Sequence, residues 1–131
     1  MKEEIHTSLV RKLYEDFETG DLDLLRVVMA DEVVWHEPGR SALAADYHGP
    51  EAVLAFLGQL RERSGGTFSI EVLDVLSEPG RAIVFMKETA SKEGRVLEEF
   101  AVVDFEIHHQ KVTEVTVYHG DMYHFDDFFE N

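Results

Sequence analysis

The first part of the chain carries apolar residues at helical spacing. Leu9, Leu13 and Phe17 recur every four residues, with Ile5 one step ahead of them, and this stripe predicts an amphipathic first helix. Gly20 suits the C-terminal end of that helix, because glycine adopts the left-handed conformation that often ends helices. The pattern therefore predicts that the chain opens with a helix that buries one face.

Two further helices are predicted before residue 66. Asp21 is typical of an N-cap for the second helix, whose buried side is formed by Leu24, Leu25, Val28 and Met29. Pro50 suits the first position of the third helix. Between these helices, residues 33–36 are predicted as a short strand and residues 39–49 as a loop. The core face of the third helix consists of Val53, Phe56, Leu57 and Leu60.

The second part of the chain changes to the alternating pattern of strands. Four strands are predicted, over residues 68–73, 82–89, 101–107 and 115–121, with turns between them. Segregated helices and strands predict an α+β fold in one domain spanning residues 1–131. A curved antiparallel sheet of this size can wrap around three N-terminal helices as a cone, and the interior of such a cone is a natural ligand cavity.

Composition narrows the classes of partner. The formal net charge is −15, spread along the chain, so the surface repels nucleic acid phosphates and anionic lipid. There is no Cys, which excludes disulfides, thiol chemistry and cysteine zinc sites. The N-terminus shows no apolar signal segment and no apolar run approaches membrane-spanning length, so we expect a cytoplasmic protein without nucleic acid or membrane partners.

Four segments, in order along nearly the whole chain, resemble the SnoaL-like, or ketosteroid-isomerase-like, branch of the NTF2-like superfamily. They are residues 20–33, 35–39, 47–57 and 111–121. The end of the chain, residues 120–128, is similar to a subgroup whose members mostly lack assigned activities. The resemblance implies a cone-shaped barrel, homodimers packed sheet to sheet and a pocket for a small hydrophobic, polyketide-like or steroid-like ligand. Because this fold hosts isomerases, cyclases, hydrolases and binders, it implies no single reaction.

Glu37 is the first candidate for catalysis. It stands directly before Pro38, as does the carboxylate that moves the substrate proton in ketosteroid isomerases, which the segment resembles. Burial in an apolar cone would raise the pKa of Glu37 into a range useful for proton transfer, whereas at a loop edge it would stay in water. The isomerase oxyanion positions match Leu13 and Val103, which donate no hydrogen bond, so we do not expect a standard steroid isomerase.

Asp121 and His119 form a second pair of candidates. Their alternation with Val115 and Val117 points both inward on the last strand, about 7 Å apart. Asp121 resembles the acid–base aspartate of SnoaL-type cyclases, and His119 could relay a proton or hold a carbonyl oxygen. The alternatives are that Asp121 caps the turn after the strand and that His119 is a satisfied core residue.

Aromatic residues supply the expected ligand wall. Trp35 shares parity with Glu37, Phe56 lies on the core face of the third helix, and the phenols of Tyr47 and Tyr123 could reach a ligand. No pair of His residues has the i, i+4 spacing of a helical zinc site, so we predict no metal. No cofactor motif is present in the sequence, and none is expected.

Three hypotheses of function remain open at this stage. The first is a cofactor-independent isomerase, cyclase or lyase that acts on a small apolar carbonyl compound by carboxylate acid–base chemistry. The second is a non-catalytic binder or sensor of a small hydrophobic ligand. The third is an interaction or structural module that uses the outer face of the sheet. A carboxylate of raised pKa inside the cavity would favour the first hypothesis.

Overall fold

The helices and strands follow the predicted change of period, with one strand and one helix added. In a computed structural model, the backbone is described for residues 2–130 and the side chains for residues 6–130, so the side chain of Ile5 lies outside the described part. The elements in chain order are α1 (Lys2–Thr19), α2 (Leu22–Val28), β1 (Met29–Glu37), β2 (Ala45–His48), α3 (Pro50–Arg63), β3 (Ser69–Glu78), β4 (Arg81–Lys92), β5 (Arg95–His108), β6 (Lys111–His119) and α4 (Met122–Phe128).

The six strands form one curved, unclosed sheet in the order β2-β1-β6-β5-β4-β3. All neighbours pair antiparallel except β1 and β6, which run parallel, with Trp35 opposite Val115. This architecture is the NTF2-like, cystatin-like α+β fold, so the predicted fold class is confirmed. The parallel pair brings the ends of β1 and β6 together, although they lie more than 80 residues apart in the sequence.

Three of the differences between the strands and the predicted ones bear on the site. Met29 already has extended backbone angles, so β1 begins there and not at residue 33. The predicted loop contains β2, which pairs with β1 and places Tyr47 opposite Trp35. The last strand ends at His119, because Asp121 accepts a hydrogen bond from the backbone N–H of His124 and so caps α4.

The core lies between the helices and the concave face of the sheet. α1 contributes Val10, Leu13, Tyr14 and Phe17, all at most 6% exposed. Along β4 and β5 every second residue is buried, as expected where one face of a strand packs on the core. Burying one large aromatic such as Phe105 removes it from water at a gain of about 2–3 kcal/mol. The same alternation turns two glutamates, Glu88 and Glu99, towards the interior.

None of the helices within the described part of the chain is both long enough and apolar enough to cross a membrane.

Candidate active site

Four ionisable side chains from four strands meet inside the cone. Glu37 is the last residue of β1, His119 is the last residue of β6, and Glu88 and Glu99 face each other across the β4–β5 pair. His119 pairs in register with Ala101, two residues beyond Glu99, so its ring reaches the same face. We call these four residues the carboxylate–histidine cluster.

His119 is hydrogen-bonded through both ring nitrogens. Its Nε2 lies 2.6 Å from Glu37 Oε2 and its Nδ1 lies 2.5 Å from Glu99 Oε2. Glu88 Oε1 stands 3.6 Å from the same Nδ1, which is too long for a hydrogen bond. The ring also stacks on Phe125, with centroids 4.0 Å apart. An imidazolium donates from both nitrogens, so this arrangement suits the charged form of His119.

The second carboxylate oxygens of Glu37 and Glu99 accept hydrogen bonds from groups other than His119. The indole Nε1 of Trp35 donates to Glu37 Oε1 at 3.4 Å, and the backbone N–H of Asp121 donates to Glu99 Oε1 at 3.1 Å. Such contacts fix the side chains of Glu37 and Glu99 before any ligand is bound. The cluster is therefore preorganised by the strands that carry it.

Burial and mutual contact shift the pKa values of all four groups. Burial alone would lower the pKa of His119, but its hydrogen bonds to Glu37 and Glu99, together with the nearby carboxylate of Glu88, outweigh burial and raise it to about 12. Burial raises the pKa of Glu88 to about 8 and also raises that of Glu37, although His119 opposes both shifts. For Glu99, burial is outweighed by the hydrogen bond from His119, and the pKa is lowered. Three carboxylates around one cation thus hold different affinities for a proton.

An internal cavity of about 30 Å³ adjoins the cluster, with room for about one or two water molecules. Glu37 and Glu88 are its polar lining residues besides Tyr14, and the rest of its wall is formed by aromatic and aliphatic side chains. The hydroxyl of Tyr14 is buried without a hydrogen-bond partner, and burial raises the pKa of this phenol. The aromatic lining residues are Tyr14, Phe17, Trp35, Phe56, Phe68 and Phe125.

The structure brings four of the seven predicted site residues to this region. Glu37, Trp35 and Phe56 line the cavity, and His119 lies directly behind Glu37. Tyr47 is one layer removed, because its ring stacks on Phe56 with centroids 4.6 Å apart and its hydroxyl donates to the carbonyl oxygen of Leu43.

Two predicted site residues require correction. Asp121 is exposed and its carboxylate caps α4, so the alternative given for it, a turn cap, describes its position. Tyr123 lies on the outer side of α4 with 86% of its surface exposed. Both corrections have one physical cause: the strand period was extended past His119, where the chain already turns into a helix.

Sequence reasoning missed Tyr14, Glu88 and Glu99. On α1, Tyr14 follows Leu13, which takes the position of the isomerase tyrosine, and is rotated from it by about 100°; the buried face of the helix is nonetheless wide enough to include both. The parity of Glu88 with the apolar residues Val84 and Met86 was a signal for an inward carboxylate. That signal alone identifies no partner, because the partners lie on other strands.

Glu88, Glu99 and His119 are also the residues that could approach a cation, since their ligand atoms lie within 4.8 Å of one another. The 2.5 Å separation of His119 Nδ1 and Glu99 Oε2 is that of a short charge-assisted hydrogen bond. Two atoms that ligate one ion at 2.0–2.2 Å stand roughly 3 Å or more apart. We therefore assign a proton to this position.

Comparison with known proteins supports the fold and identifies the family of the chain. A model of the SnoaL-like domain matches residues 10–127. An uncharacterized protein of Mycobacterium tuberculosis is 30% identical over 122 residues, which cover 92% of this chain and 93% of that protein. The structure of Bal32a, from a soil-derived mobile gene cassette, superposes with a TM-score of 0.94 at 33% identity, covering 98% of this chain and 99% of that one.

A more distant structure, TerC co-crystallized with polyporic acid, has a TM-score of 0.85 at 18% identity and covers 97% of this chain and 99% of its own. This likeness concerns the fold alone. The matched family model spans most of the chain and includes every residue of the carboxylate–histidine cluster. The chain belongs to the SnoaL-like domain family.

Proposed function

We propose that this protein is a cofactor-independent acid–base enzyme, an isomerase, cyclase or lyase, that acts on a small apolar carbonyl compound. The observation that carries the proposal is the buried carboxylate of Glu37, which lines the cavity and is hydrogen-bonded from behind by His119. A general base needs contact with the substrate and a pKa above that of a solvated carboxylate, and Glu37 has both features.

His119 orients the base and adjusts its strength. Its Nε2–H is directed at Glu37 Oε2, which leaves the remaining lone pairs of the carboxylate to accept a proton from a substrate C–H. The positive charge of the imidazolium partly offsets the rise in the pKa of Glu37 that burial causes. Glu37 is therefore ionised more readily than an isolated buried carboxylate, yet it remains more basic than one in water.

The carbonyl oxygen of the substrate also needs hydrogen-bond donors, because negative charge develops on it when the α-proton leaves. The donors expected from sequence were His119, Tyr123 or Tyr47. Tyr14 and Glu88 serve this role better in the proposal, because both line the cavity and each has a buried oxygen without a hydrogen-bond partner. With a pKa of about 8, the carboxyl of Glu88 carries a proton to donate at neutral pH.

A substrate larger than the cavity must enter where the wall can open. Tyr14 and Ile70 line both the cavity and an open groove of about 510 Å³ between α1 and β3. Close to this seam, Glu18 on α1 accepts hydrogen bonds from Ser69 Oγ and from the backbone N–H of Ile70. Separation of α1 from β3 at this seam would join the groove to the cavity.

Deuterium exchange at the α-carbon of a panel of small uncharged ketones in D2O, followed by proton NMR, tests the proposal. Wild-type protein should accelerate exchange for at least one ketone, and Glu37→Gln should remove about 100-fold or more of that acceleration. Asp121→Asn should keep the acceleration, because Asp121 caps α4 outside the cavity. If Glu37→Gln exchanges every ketone as fast as wild-type, Glu37 is not the base.

Non-catalytic binding is a second candidate, and one observation favours it. Both oxygens of Glu37 already accept a hydrogen bond, one from Trp35 and one from His119, as in a carboxylate that serves to hold a wall in place. In that case ketones would bind without any exchange of their α-protons. The same NMR experiment separates the two candidates, since binding shifts ligand signals and catalysis removes them.

We extend the proposal to a homodimer formed through the outer face of the sheet. Support comes from large apolar side chains that are exposed there, each between 37% and 61%. Phe85 on β4, Phe100 on β5 and Tyr118 on β6 border one shallow depression. A sedimentation coefficient of a monomer at micromolar concentration would contradict the homodimer.

A further inference from the structure

The cavity presents negative groups to a ligand and keeps its positive group behind them. Glu37 and Glu88 line the cavity, whereas His119 does not. No Lys or Arg is among the lining residues of this cavity in the described part of the chain. A bound molecule therefore meets carboxylate oxygens and aromatic rings first.

The formal charge of the cluster is unbalanced. Three carboxylates and one imidazolium sum to −2 when all are ionised, and within residues 6–130 the ion pairs of Glu37, Glu88 and Glu99 run to His119 alone. Burying uncompensated charge is costly, so such a cluster takes up either a proton or another cation. Glu88 is the member that lacks a hydrogen bond, with Oε1 buried and 3.6 Å from the histidine.

A second and independent observation points to an occupant. The hydroxyl of Tyr14, on α1 and not on the strands of the cluster, is also fully buried, unpartnered and part of the cavity wall. Its oxygen can accept a hydrogen bond from a ligand. Six of the lining residues are aromatic, and the π-face of such a ring attracts a cation most strongly where water is excluded.

The geometry points to a small protonated amine as a ligand of this cavity, held by Glu88 and Tyr14 within the aromatic wall. An alkylammonium group donates up to three hydrogen bonds, which matches the free oxygens of these two residues, and its charge offsets the excess negative charge of the cluster. Carboxylates and phosphates are excluded, because they would face Glu37 and Glu88 without a basic partner. The inference goes beyond the proposed reaction and requires no catalysis.

NMR titration tests this inference with a reporter inside the wall. Trp35 is the only tryptophan of the chain, so its indole N–H gives one identifiable signal beside Glu37. Methylammonium, methanol and formate are titrated separately at constant ionic strength; they are small enough for a cavity that holds about one or two waters. A pH of about 9 is used, since Glu88, with a pKa of about 8, is then mostly ionised while methylamine is still protonated.

We expect methylammonium to shift the indole signal with a dissociation constant at least about tenfold below that of methanol, and formate to cause no saturable shift. Glu88→Gln should bring methylammonium to within about threefold of methanol, because it keeps the shape of the side chain and removes the charge. Glu71→Gln is the matched control: it removes the same charge from an exposed site on β3 and should leave the preference unchanged.

A wild-type measurement covers the case in which Glu88→Gln does not fold. At about pH 6, where Glu88 is protonated, the preference for methylammonium should fall by roughly tenfold. His119, Glu99 and Tyr14 keep their charge states over this range, and Glu37, whose pKa burial also raises, is the other lining carboxylate that can take up a proton. Methanol or formate binding as tightly as methylammonium at pH 9 overturns the inference, as does a preference that survives both Glu88→Gln and low pH. The ketone exchange assay is read independently, so either proposal can fail without the other.

Discussion

Two histidines of this protein make nearly the same hydrogen bonds in opposite surroundings. His36 places its Nδ1 2.7 Å from Asp46 and its Nε2 2.6 Å from Glu114. His119 has carboxylates at 2.6 and 2.5 Å from its two nitrogens. The side chain of His36 is 33% exposed, whereas that of His119 is 1% exposed. His36 precedes Glu37 on β1, so the alternation of one strand sends one residue to solvent and its neighbour to the cavity.

The difference shows that burial, more than the number of contacts, decides what a carboxylate–histidine contact can do. Hydrogen bonds to Asp46 and Glu114 raise the pKa of His36, but water and salt screen these charges. In the interior the same contacts raise the pKa of His119 to about 12, and burial separates the pKa values of the glutamates around it. A site with separated proton affinities can perform acid–base chemistry, whereas the outer cluster ties β2 and β6 to β1.

The largest difference between the two histidines should appear in the free energy of unfolding when each imidazole is removed in turn. His119→Ala leaves three buried carboxylates without their cation and should lower the free energy of unfolding by about 3–5 kcal/mol at neutral pH. His36→Ala removes solvent-accessible contacts to Asp46 and Glu114 and should lower the free energy of unfolding by no more than about 1 kcal/mol. Urea denaturation followed by circular dichroism measures both variants. Losses that agree within error would show that burial does not distinguish the two histidines.

The dependence of stability on pH should follow the inner cluster. The folded pKa of His119, about 12, lies above its ordinary value of 6.5, so its contribution is complete below pH 6.5 and is lost as pH rises towards 12. Glu88 is raised from 4.5 to about 8, so its contribution is lost as pH rises from 4.5 through 8. The lowered pKa of Glu99 acts in the opposite direction, but its window lies below pH 4.5.

Between pH 6.5 and 8 the contributions of His119 and Glu88 to the free energy of unfolding therefore decline together. Each proton held only by the folded state reduces stability by up to about 1.4 kcal/mol per pH unit. Urea midpoints across this window should fall for the wild-type protein and fall about half as steeply for Glu88→Gln, while Glu71→Gln should follow the wild-type. A flat wild-type profile would mean that the inner cluster takes up no proton in this range.

Much of the fold followed from hydrophobic period alone. The stripe on α1, Pro50 at the start of α3 and the alternation along β4 to β6 were sufficient to predict an α+β fold with helices before strands. The parallel pairing of β1 with β6 and the short strand β2 were not predicted, because pairing between distant segments leaves no periodic signal in a single sequence. The helix α4 was missed because the pattern of His119 and Asp121 equally fits a continuing strand.

The candidate site was predicted only in part, because contacts between distant strands leave no periodic signal in a single sequence. Glu37 was proposed because it precedes a proline as in ketosteroid isomerases, and His119 because it shares the inward parity of Val115 and Val117. Glu88 shares the parity of Val84 and Met86, but its role, like that of Glu99, follows only from the register of β4, β5 and β6, which places both around one ring. Residue types and spacing can propose single participants in a site, but the sheet register determines which of them share a proton.

The smallest expected effect is that of salt on the pKa of each histidine. It shows how far solvent ions screen each ring from its carboxylates. Raising NaCl from about 0.05 to 1 M shortens the Debye length from about 14 to 3 Å, so the raised pKa of His36 should fall towards its ordinary value. His119, with 1% of its side chain exposed, should show no comparable change and should remain charged throughout the neutral range. The imidazole Cε1 proton signals in NMR follow the titration of His36 and the constant charge of His119 in one sample. Equal sensitivity of the two rings to salt would mean that solvent ions reach His119, and the cavity beside it would then be open to water.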